Sequence, residues 1–408
     1  MEDAFISENQ PDSERFARKR EEILNAAMRQ IADRGLKGLT LTGTAKAVGL
    51  NTTSITYYFR RKELLAAAVM ERALDRFTDL LLPQASDPRS YMARVLDQNM
   101  DLVLQIRRGS AAPLRCLSDM RALEEPDRST LLNRYFALIR QVAARFGSME
   151  TPEEKGRNIA RAQLFCDILH WSRSWLDLYA EADLPRVRAR LLDLLENGFA
   201  MPGATWAPAL IPVDPAEQVA SVITSETYLR VATRLINERG YRGASVERIA
   251  AELNVSKGSF YHHLSGKDDL VRACFDRSYS RISATQHAAV AQGADDWARV
   301  TSAIASLMDV QLRDQMPLLR DTALLALPEE LRPDVLRRND RLARRFAGMM
   351  SDGIAAGTIR PVDPNLASQI LMGAVNSAVD MAPRVARWPS REAAIRAYAG
   401  PLAFGFLD

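Results

Sequence analysis

The sequence predicts an all-α chain built from two copies of one unit, and three observations carry that prediction. Apolar residues recur at helical spacing almost throughout, with no run of strand alternation. Residues 21–65 return at 226–270 in one ungapped register, 205 positions on, with 11 identities in 45 positions. Between the copies lies the proline-rich stretch MPGATWAPALIPVDP, residues 201–215. A length of 408 residues agrees with this, being too much chain for one hydrophobic core.

Each element follows from local chemistry. Ile23, Leu24, Ala27 and Ile31 share one face of a first helix that ends at Arg34-Gly35, with glycine as its C-cap. Thr40 or Thr42 N-caps a short second helix that carries Ala45, Ala47 and Val48 and stops at Gly49. Asn51-Thr52-Thr53-Ser54 opens a third helix, Ile55 to Phe59, and a fourth begins at Lys62. The second copy repeats this with Val246 to Leu253, a turn at Asn254, Ser256 as cap, a helix from Lys257 to Leu264 and a new start at Lys267. Longer amphipathic helices are expected around 90–106, 127–146, 157–180 and 184–199, then 295–313, 331–356, 365–386 and 390–407. Pro202, Pro208, Pro212 and Pro215 keep the connecting stretch out of a helix and favour extended backbone. The expected division is a first head at 15–65, a first body at 66–200, a linker at 201–219, a second head at 220–270 and a second body at 271–408.

Composition narrows the function classes. Hydrophobic residues at 47% and charged residues at 26% describe a globular protein, and no apolar run approaches a membrane span. The acidic start Met1-Glu2-Asp3-Ala4 lacks the basic opening of a signal peptide, so a cytoplasmic location with reduced thiols is expected. Cys116, Cys166 and Cys274 are odd in number and far apart, which argues against a disulfide framework and a zinc knuckle. No P-loop, dinucleotide fingerprint or nucleophile elbow is present, so neither an enzyme nor a cofactor is expected. Asp167 and His170 stand one helical turn apart beside Trp171, but no third ligand at suitable spacing makes them a metal site. That pair is better read as core or as a ligand contact.

Two short helices joined by a tight turn form a helix-turn-helix, whose second helix fits the major groove of DNA. The first turn of that helix must show short hydrogen-bonding groups to bases and phosphates. Asn51, Thr52, Thr53 and Ser54 do so in copy one, with Thr56 following; Ser256, Lys257 and Ser259 do so in copy two. Gly258 would let backbone approach a phosphate. Tyr57 and Tyr58, and Tyr261, His262 and His263, suit the sugar-phosphate wall, while Thr40, Thr42, Lys62, Ser245 and Lys267 flank the two motifs. Charge supports heads set on bodies. Residues 15–65 hold 11 Lys/Arg against 4 Asp/Glu, net +7; residues 220–270 hold 7 against 6, net +1; the rest carries 3 − 7 − 1 = −5.

The segment Val255-Ser256-Lys257-Gly258-Ser259-Phe260-Tyr261-His262-His263-Leu264, with Lys267 and the earlier Glu238-Arg239-Gly240, resembles the DNA-binding signature of the tetracycline-repressor (TetR/AcrR) family. Copy one resembles it less closely: Thr53 stands where the family has glycine and Thr56 where it has tyrosine. The resemblance implies a ligand-binding helical body and pairing through the last two helices of each unit. In this chain that pairing would be a four-helix bundle of about 157–199 and 365–407 within a monomeric pseudo-dimer. It also implies a transcriptional repressor, released from an imperfectly palindromic DNA operator by a small apolar or aromatic effector. Candidates for the effector pocket are Phe165, His170 and Trp171 in copy one, and Met308, Met349, Met372 and Asn376 in copy two. The alternative is an effector-independent, DNA-organising or division-linked protein that uses the same heads.

Overall fold

The computed structural model describes residues 10–212, 224–258, 266–313 and 317–407, and among them the only extended pairing is one isolated bridge, Ala200 to Ile359. Fifteen α-helices are described: α1 (Gln10–Gly38), α2 (Leu41–Ala47), α3 (Thr52–Tyr58), α4 (Lys62–Leu81), α5 (Pro88–Arg107), α6 (Asp127–Ala143), α7 (Pro152–Leu176), α8 (Leu184–Asn197), α9 (Ser225–Gly243), α10 (Val246–Glu252), α11 (Lys267–Gln292), α12 (Asp296–Leu312), α13 (Arg332–Ala355), α14 (Pro364–Ser377) and α15 (Arg391–Phe404). The repeat is visible in the backbone. Gly35 and Gly240 break α1 and α9 at matching points with φ 65° and 67°. The turn between the paired short helices is left-handed in both copies, at Gly49 (φ 68°) and at Asn254 (φ 54°). Asparagine is one of the few side chains that tolerate that conformation, which explains why copy two manages without a glycine there.

One expected helix differs in length. The helix expected over 365–386 ends at Ser377, and Ala378–Arg387 continues as a 3-10 helix containing Pro383. Pro383 has no N–H to give to residue 379 and its ring crowds that carbonyl, so an α-helix could not have continued through the expected end at 386. The linker stretch is non-helical through residue 212 and docks on α12. Ile211 is buried, the amides of Ala209 and Ile211 donate to Ser302 Oγ (3.0 Å) and Ser306 Oγ (2.9 Å), and Trp297 Nε1 donates to the Thr205 carbonyl at 2.9 Å. Residues 213–219 of the expected linker lie outside the described residues.

Internal contacts divide the chain into two units, Met1–Asp79 with Leu104–Tyr135, and Leu80–Val103 with Phe136–Asp408. In the first unit Ile23, Leu24, Ala27, Ile31, Ala45, Ile55 and Leu65 form the core of the first head. The 3-10 stretch Arg115–Ala122 packs on α1, where the Leu36 amide donates to Asp119 Oδ2 at 3.0 Å. Burial pushes that carboxyl up to about 6. Arg29 and Arg76 fasten the same region by donating to the carbonyls of Gly109 and Ala112, each at 3.0 Å.

The second unit holds the second head and a bundle in which α7 and α8 from copy one pack against α14 and α15 from copy two. The ends of α8 and α15 cross reciprocally. Phe199 N donates to the Ala403 carbonyl (2.9 Å), and Phe406 N donates to the Leu195 carbonyl (2.8 Å). Each chain turn is a glycine at positive φ, Gly198 (61°) and Gly405 (99°), and a Cβ on either would stand 2.1 Å from a carbonyl oxygen of the other helix. Beyond the crossing, Phe406 enters a ring cluster with Phe146 (5.8 Å) and Phe165 (6.2 Å), while Phe199 meets Trp297 at 5.6 Å. Burying each such ring contributes about 1.5–3 kcal/mol. Arg360 clasps the same joint, donating to Asp193 Oδ2 at 2.9 Å and to the Gly198 carbonyl at 2.6 Å. Residue i meeting j while j's twin meets i's is the contact pattern of a two-fold interface, here written into one chain.

Candidate nucleic-acid interface

In the first head the caps set the geometry. Thr40, not Thr42, caps α2: its Oγ1 accepts from Gly43 N at 3.0 Å. Asn51 caps α3 by accepting from Ser54 N at 2.7 Å. Buried Ile55 anchors α3 to the core, which leaves Asn51, Thr52, Thr53 and Tyr57 exposed and Ser54, Thr56 and Tyr58 half-buried. Thr52 Oγ1 donates to Thr42 Oγ1 at 3.4 Å, and Thr56 Oγ1 donates to the Thr53 carbonyl at 2.7 Å. Tyr57 is 77% exposed, an unusual position for so large a ring. Phe16 stacks on Tyr58 at 4.7 Å and meets Tyr57 edge-on at 5.8 Å, forming an aromatic shelf beside Arg15 and Arg18. Phe16 thus joins this face without belonging to the helix-turn-helix motif, and its one mark in the sequence is an aromatic residue set among basic ones. Lys62 turns back to donate to the Lys37 carbonyl at 3.3 Å.

In the second head, Ser245 caps α10 by accepting from Arg248 N at 3.2 Å. Ser256, Lys257 and Gly258 are exposed at the start of the recognition segment. Among the described residues, the nearest atom to a Cβ at Gly258 would be Ser256 Oγ at 3.6 Å. Lys257 Nζ pairs with Glu247 Oε1 at 2.6 Å. That ammonium, with Glu247's own amide and Ser245, holds the Glu247 carboxyl down at about 2. Lys267 Nζ lies 4.0 Å above the Tyr241 ring, whose hydroxyl donates to Asp268 at 2.7 Å, so this lysine also ties α11 to α9. Ser259, Tyr261, His262 and His263 lie outside the described residues.

The residues expected to line an effector pocket are scattered through packed regions. Phe165 belongs to the ring cluster with Tyr91, Phe146 and Phe406. Trp171 lies along α14 at Gly373, with His170 edge-on to it at 5.4 Å. Met308, Met349 and Met372 are buried in α12, α13 and α14. Asn376 Oδ1 accepts from Asp321 N at 2.9 Å. None of these seven lines the open groove of about 370 Å³ formed by Trp206, Pro208, Leu210, Glu392, Ala393, Ile395 and Arg396. Asp167 does not pair with His170 as an acid/base couple would. It accepts from Gln163 Nε2 (3.0 Å) and from Tyr398 OH (2.9 Å), the latter from the other copy. Burial, with Asp380 nearby, pushes its carboxyl up to about 7.

A capped short-helix pair whose second helix bears exposed polar groups in the first head, and a capped first short helix followed by exposed Ser256, Lys257 and Gly258 in the second, define a helix-turn-helix DNA-binding protein. Comparison with known proteins agrees. The family described as "Bacterial regulatory proteins, tetR family" matches residues 23–69 and again 229–274, and "Tetracyclin repressor-like, C-terminal domain" matches 293–380. The chain carries the DNA-binding domain of the TetR family of transcriptional regulators twice, and that family's C-terminal domain once. It is similar to the Transposon Tn10 TetC protein of Escherichia coli, 34% identical over 61 residues, which are 15% of this chain and 31% of that protein. It is also similar to the uncharacterized HTH-type regulator YhgD of Bacillus subtilis, 20% identical over 153 residues, 37% of this chain and 80% of that protein. Among solved structures, PfmR from Thermus thermophilus is 22% identical with a TM-score of 0.37, covering 44% of this chain and 97% of that one.

Proposed function

We propose that the chain is a ligand-released repressor that works as a single-chain pseudo-dimer, placing one head on each half-site of an imperfectly palindromic operator. The observation that carries this reading is the reciprocal crossing at Gly198 and Gly405, which joins the two copies as two subunits of a dimer would be joined. The unlike recognition residues, Asn51 to Tyr58 against Ser256 to His263, make the two half-sites unlike as well. In this reading the recognition and flanking residues of both heads contact DNA, and the chain runs as head, body, linker, head and body. The Trp206–Arg396 groove is a hollow with room for an effector. Its volume falls in the range of about 300–1,000 Å³ usual for small-molecule sites, and its largely apolar wall, which carries one carboxylate (Glu392) and one guanidinium (Arg396), suits a small apolar or aromatic effector. An effector can shift DNA affinity only by its preference between two arrangements of the heads.

The test is footprinting on DNA flanking the chain's own gene, with and without a panel of small aromatic and lipid-like compounds, acids among them. Two protected half-sites centred about 34–36 Å apart or a multiple of it, lost on addition of a saturable ligand, support the proposal. The tight packing of Phe165 and Met308 favours the second reading, a protein that binds DNA without an effector. Protection that no compound relieves would establish that reading instead.

A further inference from the structure

The offset of 205 residues sets Thr42 and Thr52 of the first head on Glu247 and Lys257 of the second. Both pairs bridge the first helix of the motif and the start of the recognition helix. In the first head the bridge is two hydroxyls 3.4 Å apart, and in the second it is an ion pair of 2.6 Å with side chains 58% and 60% exposed. An ion pair that exposed contributes little to folding, so stability does not explain its presence. Nor does attraction to the DNA backbone. A carboxylate on this face repels phosphate, and the one long cation at the start of the second recognition helix is already engaged with it. The net charges of the heads, +7 and +1, show the same division of labour.

A paired carboxylate and ammonium are neutral towards phosphate yet complementary to base edges. In the major groove, guanine shows O6 and N7 as acceptors and cytosine shows its N4 amino group as a donor. Resting on the reading that the two heads occupy two half-sites of one operator, we infer that Glu247 and Lys257 together form the base-reading element of the second head. Lys257 takes guanine, and Glu247 takes the cytosine of the same or the adjoining pair. By holding Lys257, Glu247 keeps it from being drawn off to a phosphate. The Thr42–Thr52 pair gives the first head no such preference, so the G·C requirement falls in one half-site.

Binding selection from a random-sequence DNA pool with the full chain tests this, using wild type, Glu247→Gln, and Thr42→Glu combined with Thr52→Lys. Wild type should return two unlike half-sites, one with a fixed G·C position. Glu247→Gln should lower the preference at that position by about tenfold, the lower range of one good base contact. It should also steepen the salt dependence of binding by about 0.9 in the log–log slope, because Lys257 is freed for a phosphate. The double substitution should carry a G·C preference into the other half-site. Unlike half-sites whose base frequencies change in neither variant would overturn the base-reading role and leave the two-head reading standing. A change in the salt slope alone on Glu247→Gln would overturn that role in the same way. A symmetric preferred site for wild type would overturn both.

Discussion

Replacing Gly198 with alanine attacks the joint between the copies at its tightest point. The residue sits at φ 61° and ψ −154°, a region occupied almost only by glycine, so alanine there costs about 1–3 kcal/mol in backbone strain. Its Cβ would then stand 2.1 Å from the Ala403 carbonyl oxygen and 2.6 Å from Phe404 N. These are backbone atoms and cannot rotate aside. The end of α8 must therefore part from the end of α15, breaking the bonds from Phe199 N, Ala200 N and Phe406 N, each with a net contribution of about 0.5–1.5 kcal/mol. Strain and lost bonds together come to about 3–7 kcal/mol. Gly357→Ala is the control: it also has positive φ (72°), but nothing lies within 4 Å of its Cβ, so only the backbone cost of about 1–2 kcal/mol applies. Urea unfolding followed by tryptophan emission reads the difference. All five tryptophans (171, 175, 206, 297 and 388) belong to the unit that contains the joint. Equal losses for Gly198→Ala and Gly357→Ala would refute the close crossing.

Three further outcomes are expected. Phe406→Ala empties a fully buried site beside Phe146 and Phe165 and should cost about 3–5 kcal/mol by the same unfolding assay. Asp167 has a folded-state pKa of about 7 against an ordinary 3.8, so the folded chain binds more protons across that window and stability falls as pH rises from about 4 to about 7. The difference in stability between wild type and Asp167→Asn should therefore shift by a few kcal/mol over the window, and unfolding measured at pH 4.5 and pH 8 checks it. Tyr57→Ala removes an exposed ring, so unfolding should stay within about 0.5 kcal/mol of wild type. Its DNA affinity should drop for all sequences alike, which gel-shift titration on specific and unrelated DNA will show.

What the sequence made legible was chemistry that acts over a few residues. The caps at Asn51 and Ser245 and the turns at Gly35, Gly49, Gly240 and Asn254 are local, and a side chain with its own backbone suffices to specify each. The echo of Asn197-Gly198-Phe199 in Phe404-Gly405-Phe406 was readable too, because each crossing strand needs glycine for itself. Partnerships across the fold were not. Asp167 was set beside His170 because they are neighbours on one helix, yet its hydroxyl partner, Tyr398, is 231 residues away. Glu247 drew no notice as one acid among six in its window; only its distance to Lys257 separates it from a solvated surface charge. The groove at Trp206 likewise arises where the linker docks, and periodicity carries no information about a docked extended stretch.

The mass of the protein–operator complex tests the central claim most directly. Multi-angle light scattering on the full chain with its footprinted operator should find one chain, 45.5 kDa of protein, per DNA duplex, with both half-sites protected. Two chains per duplex, twice 45.5 kDa, with one kind of head on both half-sites would contradict it.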